Sequence, residues 1–327
     1  MAKVLIAPMH LVKIGGAWKD LLLQNGHELV ISKPEQLVEH ELLDILKGCE
    51  AAMAGSEPYT PAVIKAHPQL KVIARTGVGY DAVNVQAASA QGIAVCITPG
   101  ANQDAVAEYT FTLMLALAKE LVSQVTAVRQ GGWPRKALIP LRGRTLGILG
   151  LGRIGKAVAL RGKAFGMKLI GYEPFPDHAF CKDCGVTLMP LEKVLAEADF
   201  VTVHVPLMPE SHHLINKKTL ALMKPTAFLI NTARGALVKE ADLVEALKNK
   251  TIAGAAIDVF ENEPPGHSEL FALENCLVTP HSAGVDIQSR DDMAYSAARS
   301  ICMLLKGEWP DKGEVVNPEV KPAFQRQ

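Results

Sequence analysis

Three polar residues in the second half of the chain each follow a predicted buried strand. Arg234 comes after the run LINTA, Glu263 after AAIDVFEN and His281 after LVTP. A guanidinium can bind a carboxylate in a bidentate fork, and an imidazole can take the proton of a hydroxyl group. A carboxylate beside that imidazole stabilises its protonated form. Taken singly, each residue is more often a surface ion pair or an ordinary loop residue, but together they suffice to support the oxidation of a hydroxy acid to an oxo acid, or the reverse.

A glycine-rich turn precedes these residues along the chain. The run GLGRIG places Gly150, Gly152 and Gly155 directly after the predicted strand Thr145 to Leu149 and at the start of a predicted helix. The first glycine allows a tight turn, the second lets the backbone approach a pyrophosphate, and the third lets the helix pack against the strand. Strand, turn and helix coincide as a dinucleotide site requires.

The next predicted strand, Lys168 to Tyr172, is followed by Glu173. A carboxylate at this distance from the glycines binds the ribose hydroxyls of a dinucleotide and repels a 2′-phosphate. The residues that follow, Pro174 to Asp177, include no Arg or Lys to receive such a phosphate. NAD is therefore favoured over NADP.

Alternating strands and helices must position these residues. Short β-rich runs alternate with helical patterns in the first hundred residues, and a second such series begins at Thr145. This alternation predicts two parallel sheets covered by helices. Between the series, apolar residues at three- and four-residue spacing predict one long helix from Gln103 to about Val128.

Composition restricts the class of function. The 327 residues include 34 Lys and Arg against 34 Asp and Glu, a formal net charge of zero, and 49% are apolar. The chain lacks the charge excess that drives binding to nucleic acids or anionic membranes, and we expect neither partner. The six cysteines are scattered and no export signal is visible, so we expect reduced thiols and a cytoplasmic location. The run HAFCKDC has metal-like spacing but no second ligand pair, so no metal site is predicted.

Four motifs in order closely resemble those of the D-isomer-specific 2-hydroxyacid dehydrogenase family. They are LGILGLGRIG, NTARGALV, AIDVFENEPP and TPHSAG, and the resemblance covers nearly the whole chain. It implies that Arg234 anchors the substrate carboxylate and carbonyl, that His281 is the acid/base and that Glu263 is its partner. It also implies a position near the nicotinamide amide for Asp258, and an NAD site lined by Arg153, Ile154, Pro206, Thr232 and Ala233.

The resemblance further implies an α/β fold of two doubly wound parallel-sheet domains, with a Rossmann NAD domain inserted into a flavodoxin-like substrate domain. The expected boundaries are 1–101 with 287–327 for the substrate-binding domain and 102–286 for the NAD-binding domain. Members of the family act in the cleft as the domains close, and form dimers mainly through the NAD domains. A homodimer is therefore expected.

A basic loop after an early strand bears on the substrate, which we expect to be a small 2-hydroxy or 2-oxo acid. The run RTGVGYD, from Arg75 to Asp81, resembles the substrate loop of D-3-phosphoglycerate dehydrogenases, in which an arginine at this position helps to hold a phosphate. Arg135 matches a basic residue of that subfamily. These matches favour a phosphorylated substrate. The predicted substrate-binding residues are Arg75, Val78, Gly79, Asn102 and Arg135.

Two alternatives remain open at this stage. The order Ser-Ala-Gly after His281 departs from the phosphoglycerate dehydrogenase pattern, and Tyr80 gives the loop a variant that is also common in broader 2-hydroxyacid reductases. The first alternative is therefore a glyoxylate/hydroxypyruvate or broad 2-oxo-acid reductase. The second is an NAD(H)-sensing binding protein, because the C-terminal-binding-protein corepressors resemble the same family.

Overall fold

Alternating β-rich and helical runs form a first parallel sheet in the N-terminal part of the chain. The computed structural model describes residues 1–324, and these divide into two compact units, residues 1–102 with 285–324 and residues 103–284. The first unit begins with β1 (Lys3–Ile6), α1 (Ala17–Gln24), β2 (Glu28–Ile31), α2 (Glu39–Ile45), β3 (Ala51–Ala54), α3 (Pro61–Ala66), β4 (Val72–Arg75), α4 (Val85–Ala90) and β5 (Ala94–Cys96).

The second unit contains a larger set of elements. They are α5 (Gln103–Ala118), α6 (Leu121–Arg129), β6 (Thr145–Leu149), α7 (Arg153–Ala164), β7 (Lys168–Tyr172), α8 (His178–Cys184), β8 (Val186–Leu188), α9 (Leu191–Glu197), β9 (Phe200–Val203), α10 (Lys217–Leu220), β10 (Phe228–Asn231), α11 (Glu240–Lys248), β11 (Gly254–Ile257) and β12 (Cys276–Val278). The chain then returns to the first unit with α12 (Ile287–Leu305) and α13 (Lys321–Phe324).

Both sheets are parallel and doubly wound, as the alternating pattern predicts. The first has the strand order β2-β1-β3-β4-β5, the flavodoxin-like arrangement. The second has the order β12-β11-β10-β9-β6-β7-β8, so its strand order reverses between β6 and β9. Open α/β sheets bind ligands outside the carboxyl ends of the strands at such a point. The predicted fold class is confirmed.

Each sheet has apolar side chains packed on both faces. In the first unit, one face packs with α1 and α12 and the other with α2, α3 and α4. In the second unit, α9 and α11 cover one face, here called the α9 face, and α5 and α7 cover the other, here called the α7 face. Strands buried on both faces are apolar throughout, which is why they stand out in the sequence.

The single long helix predicted from Gln103 to Val128 is wrong. The helix breaks after Ala118, and Glu120 adopts a left-handed conformation with φ of 46° before α6 begins. The apolar spacing continues across the break, so periodicity alone could not reveal it. No single helix in residues 1–324 is long and apolar enough to cross a membrane. Only α5 and α6 taken together have the necessary length and composition, and they are bent by 58° relative to each other.

Candidate active site and dinucleotide site

The turn between β6 and α7 requires glycine for two different reasons. Gly150 has φ of 95°, and a Cβ there would lie 2.7 Å from the carbonyl carbon of His204. A Cβ on Gly155 would lie 1.9 Å from the carbonyl oxygen of Gly150. Among residues 1–324, a Cβ on Gly152 would meet nothing within 4 Å, so there is open space beside Gly152 at the N-terminus of α7. Close packing around an open helix N-terminus fits the pyrophosphate of NAD.

Glu173, predicted to bind the ribose, lies beside this turn. Its Oε2 accepts a hydrogen bond of 2.8 Å from the N–H of Leu151, and its Oε1 accepts one of 3.0 Å from the N–H of Phe175. These bonds fix the carboxylate against the glycine turn, where its charge opposes a 2′-phosphate. Lys156 of α7 forms an ion pair of 2.6 Å with Asp177. The negative charge of Glu173 beside the turn therefore suits NAD, which has no 2′-phosphate.

The other predicted NAD residues lie at the carboxyl ends of neighbouring strands or in the first turn of α7. Thr232 follows β10, is buried, and its hydroxyl lies 3.0 Å from that of Thr110 in α5. Pro206 lies beyond β9, and its carbonyl accepts a hydrogen bond of 2.7 Å from the Ser211 hydroxyl. Arg153 and Ile154 begin α7.

His281 and Glu263 are in direct contact. The Nδ1 atom of His281 lies 2.6 Å from Oε2 of Glu263, and Oε1 of Glu263 accepts a hydrogen bond of 3.0 Å from the N–H of Phe260. The His281 side chain is 43% exposed, and its backbone has φ of 55°. This pairing directs Nδ1 to the carboxylate, so the other ring nitrogen, Nε2, points away from Glu263.

The environment of Glu263 keeps its side chain ionised. Burial raises the pKa of this carboxyl, but the hydrogen bond from His281 and the charges of His281 and Arg234 outweigh burial, so that its pKa is below the ordinary value of 4.5. A carboxylate that stays negative stabilises a proton on the neighbouring imidazole.

Arg234 is positioned by a loop that packs on the segment before Glu263. Asn231 donates a hydrogen bond of 2.8 Å from Nδ2 to the carbonyl of Arg234 and accepts one of 3.1 Å at Oδ1 from the N–H of Ala233. A Cβ on Gly235 would lie 1.8 Å from the carbonyl carbon of Phe260, so only glycine permits this approach. Sequence reasoning did not single out Asn231, although it stands in the NTARG motif.

Asp258 anchors the loop that carries His281. This residue is fully buried. It accepts hydrogen bonds of 2.6 Å from the Thr279 hydroxyl, 2.9 Å from the N–H of Ser282 and 2.9 Å from the N–H of Ala283. Its own carbonyl accepts the N–H of His281 at 2.8 Å. The acidic side chain expected near the nicotinamide therefore fixes both sides of the predicted acid/base.

The predicted substrate loop lies in the first unit, at the end of β4. Arg75 donates a hydrogen bond of 2.6 Å from Nε to the carbonyl of Gly79 and another from Nη1 to the carbonyl of Gly55. Gly77, with φ of 149°, and the half-buried Val78 form the turn between them. At least two N–H groups of the guanidinium thus hold the loop itself.

Burial and nearby charge also affect a histidine of the first unit. Burial, with the charges of Arg290 and Arg75, lowers the pKa of His10 to about 4. Glu57 is buried, and burial raises the pKa of its carboxyl despite a hydrogen bond of 2.7 Å from the N–H of Gly55. Sequence reasoning missed His10 and Glu57 because neither belongs to a recognisable motif.

The remaining predicted substrate residues lie apart along the chain. Asn102 is the last residue of the first unit before α5. Arg135 lies in an exposed segment of the second unit, and its neighbour Lys136 forms an ion pair with Glu120.

Cys181 and Cys184 are both buried thiols, and burial raises the pKa of each. Within residues 1–324, no group of three or more His, Cys, Asp or Glu side chains is arranged to hold a metal ion.

Comparison with known proteins identifies the class to which this fold and site belong. The NAD-binding domain of the D-isomer specific 2-hydroxyacid dehydrogenases matches residues 111–283. The chain is 39% identical over 321 residues to a glyoxylate reductase of Pyrococcus furiosus, covering 94% of this chain and 95% of that protein. It is 41% identical over 276 residues to a D-3-phosphoglycerate dehydrogenase of Methanocaldococcus jannaschii, covering 83% of this chain and 53% of that protein.

Solved structures agree with these relatives. A protein of Thermus thermophilus superposes with a TM-score of 0.87 at 37% identity, covering 96% of this chain and 99% of that one. The D-lactate dehydrogenase of Aquifex aeolicus, complexed with NAD and lactic acid, superposes with a TM-score of 0.86 at 27% identity and the same coverage. The chain therefore belongs to the D-isomer specific 2-hydroxyacid dehydrogenase family: it is an oxidoreductase whose cofactor is NAD.

Proposed function

We propose that this enzyme reduces a small 2-oxo acid, of the glyoxylate or hydroxypyruvate kind, to the D-2-hydroxy acid, with Arg234, Glu263 and His281 as its catalytic residues. The observation that carries the proposal is the 2.6 Å contact between His281 and Glu263, beside Arg234, at the carboxyl ends of β10, β11 and β12. The first unit supplies the substrate-binding domain and the second the NAD-binding domain.

Each side chain has one task in this reaction. Arg234 binds the substrate carboxylate through its guanidinium. The Nε2 atom of protonated His281 gives its proton to the carbonyl oxygen, and the Glu263 carboxylate stabilises that protonated state beforehand. The turn from Gly150 to Gly155 would hold NADH, which would supply the hydride for the carbonyl carbon and so become NAD⁺. In the reverse direction His281 takes the hydroxyl proton.

A substitution at the acid/base tests this assignment. In His281→Ala, turnover should fall by roughly 10²- to 10⁴-fold, the usual contribution of general acid–base catalysis, while the Kd for NADH stays within about twofold. Arg234→Ala should raise KM for the oxo acid as well as lower kcat. Wild-type turnover in His281→Ala would refute the mechanism.

Two observations support a small substrate. Arg75 uses N–H groups to bind the carbonyls of Gly55 and Gly79, which makes it a support of the loop. The glyoxylate reductase of P. furiosus also matches this chain over 95% of its own length, against 53% for the D-3-phosphoglycerate dehydrogenase of M. jannaschii. 3-Phosphohydroxypyruvate is the second candidate, favoured by the cationic Arg75 in a glycine-rich loop that presents backbone N–H groups.

A substrate panel separates the two candidates. NADH oxidation should be measured with glyoxylate, hydroxypyruvate, pyruvate and 3-phosphohydroxypyruvate, for the wild type and for Arg75→Gln. A small-substrate enzyme should show its highest kcat/KM with glyoxylate or hydroxypyruvate, and Arg75→Gln should lower all the values by similar factors. A loss confined to 3-phosphohydroxypyruvate would instead support the phosphorylated substrate. No oxidation of NADH with any oxo acid would contradict the proposed reaction and favour an NAD(H)-sensing role.

We further propose that the protein is a homodimer formed through its NAD-binding unit. Helix α6 has no buried residue, and Leu121, Val122, Val125 and Val128 are each at least 40% exposed. In the segment that follows α6 along the chain, Trp133 is 78% exposed. Apolar side chains in such a cluster are typical of an interface. Val125→Glu should therefore convert a dimer to a monomer in light scattering, whereas Ser123→Glu on the same helix is the matched control.

The six cysteines are free and buried, which suits a reducing compartment, and we place the protein in the cytoplasm.

A further inference from the structure

His204, which directly follows β9, has an imidazole with no assigned role. Both of its ring nitrogens are buried, and neither has a hydrogen-bond partner among residues 1–324. Buried polar groups are normally hydrogen-bonded, because an unpaired one costs the free energy of its lost hydration. Burial lowers the pKa of His204 to about 3, so the ring is neutral at physiological pH and carries one N–H donor.

The strand register places His204 beside the glycine turn. Val203 pairs with Leu149 of β6 and with Asn231 of β10. The ladder continues one residue further, because the N–H of His204 donates a hydrogen bond of 2.7 Å to the carbonyl of Leu149. His204 therefore lies between Gly150 and Thr232, at the point where the strand order reverses.

The direction of the His204 side chain follows from its neighbours. Val203 and Val205 both pack in the core on the α9 face, and Phe200 packs on the α7 face. Side chains alternate along a strand, so His204 faces the α7 side. The N-terminus of α7, with the open space in front of Gly152, belongs to that same side.

We infer that His204 is a dinucleotide-binding residue, whose neutral imidazole donates an N–H hydrogen bond to the pyrophosphate held at the Gly150–Gly155 turn. A hydrogen bond to a charged oxygen is stronger than one between neutral groups. A neutral ring supplies it without adding a fixed positive charge. The inference rests on the NAD site described above but not on the proposed substrate.

Dinucleotide fragments provide the test. The Kd values of NADH, ADP-ribose and AMP should be measured by fluorescence and competition for wild type, His204→Leu and His204→Asn. ADP-ribose contains the pyrophosphate and AMP does not. His204→Leu should raise the Kd values of NADH and ADP-ribose by roughly 10- to 100-fold and that of AMP by less than about threefold. His204→Asn, which keeps an N–H donor, should recover part of the lost affinity.

A neighbouring residue on the same strand provides the matched control. Thr202 is also buried, its side-chain oxygen has no hydrogen-bond partner in the described part of the chain, and it lies two residues earlier, inside β9. Thr202→Val should leave all three Kd values unchanged. Equal losses of affinity for AMP and ADP-ribose in His204→Leu would show a purely structural role and overturn the inference. Unchanged affinity for ADP-ribose would also overturn it.

A second measurement uses the wild-type protein and needs no folded variant. With ¹⁵N-labelled histidine, saturating ADP-ribose should shift the ring-nitrogen signals of His204, and AMP should not. Absence of any shift would overturn the inference. Neither readout needs turnover, so failure of the proposed oxo-acid reaction would be visible separately, as NADH binding without oxidation.

Discussion

The candidate acid/base depends on a carboxylate whose charge is kept by its own surroundings. Glu263 accepts hydrogen bonds from His281 and from the N–H of Phe260, and its pKa is lowered. When the pKa of a carboxyl is lower in the folded than in the unfolded chain, its ionised form stabilises the fold at any pH above the unfolded pKa. This stabilisation is lost as the pH falls through the folded pKa. The pair therefore persists at pH 4.5, where an ordinary glutamate is half protonated.

Removing this charge should change the pH profile of the reaction. In Glu263→Gln the hydrogen-bond acceptor remains but the negative charge does not. In the wild type, protonation of Glu263 below pH 4.5 should lower the rate of oxo-acid reduction, whereas the variant, which has no carboxylate to protonate, should show a lower rate without that decline. The matched control is Glu261→Gln, which removes a carboxylate paired with His213 at 2.9 Å. An unchanged profile in Glu263→Gln would contradict the role of the charge.

Asp258 offers a second prediction at the scale of one residue. Asn has one acceptor oxygen where Asp has two, so Asp258→Asn leaves a backbone N–H of Ser282 or Ala283 facing an amide group, at a cost of about 1–3 kcal/mol. We expect kcat to fall by roughly 10- to 100-fold, with faster hydrogen exchange in residues 279–284.

Asp199→Asn is the control for this substitution. Asp199 binds the N–H of Thr145 at 2.9 Å, at the amino ends of β6 and β9. This variant should keep a near wild-type kcat. Equal losses of kcat in the two variants would argue against a positioning role for Asp258.

At the scale of the element, the turn from β6 to α7 separates what packing requires from what the cofactor requires. Gly155 is needed because its missing side chain lets the helix approach the Gly150 carbonyl, whereas Gly152 faces open space and has a φ of −68° that any residue adopts. Packing alone therefore gives no reason for glycine at position 152, whereas access of the pyrophosphate to the backbone explains it.

Two alanine substitutions should therefore behave differently. Gly155→Ala should lower the free energy of unfolding by about 1–3 kcal/mol or more, through overpacking. Gly152→Ala should unfold at the wild-type urea concentration but bind NADH at least roughly tenfold more weakly, because its methyl group enters the phosphate site. Normal NADH affinity in Gly152→Ala would place the pyrophosphate elsewhere.

The elements also show where sequence patterns were sufficient. Strands such as β6 and β7 were predicted with their observed bounds because they form nearly continuous apolar runs. The strand β8 was missed because Val186–Leu188 has only three residues with the polar Thr187 between the two apolar ones, so no apolar run indicates a strand. The break at Glu120 was missed because it depends on one backbone conformation.

At the scale of the whole molecule, buried neutral histidines should make stability depend on pH. The pKa of His10 is lowered to about 4 and that of His204 to about 3, from 6.5. Below pH 6.5 the unfolded chain binds protons that the folded chain does not, so stability falls with pH until the folded pKa is reached. Each of these histidines contributes about 1.4 kcal/mol per pH unit.

Urea unfolding between about pH 7.5 and 5 measures this effect. In a plot of unfolding free energy against pH, His10→Asn should reduce the slope on the acid side for the first unit. His204→Asn should reduce it for the second unit. His40→Asn is the control, because His40 is exposed. A wild-type slope in both buried-site variants would show that other groups control acid unfolding.

The amino-acid sequence by itself determined the α/β class, the dinucleotide turn and the identity of Arg234, Glu263 and His281, because these depend on local runs of residues with a fixed order. Tertiary structure decided what each of them touches. Asn231, Asp258 and Gly235 act through contacts with distant segments, and the neutral imidazole of His204 is created by burial between two strands. Burial and long-range hydrogen bonds arise only when separate strands meet at one edge of a sheet, and linear spacing carries no record of them.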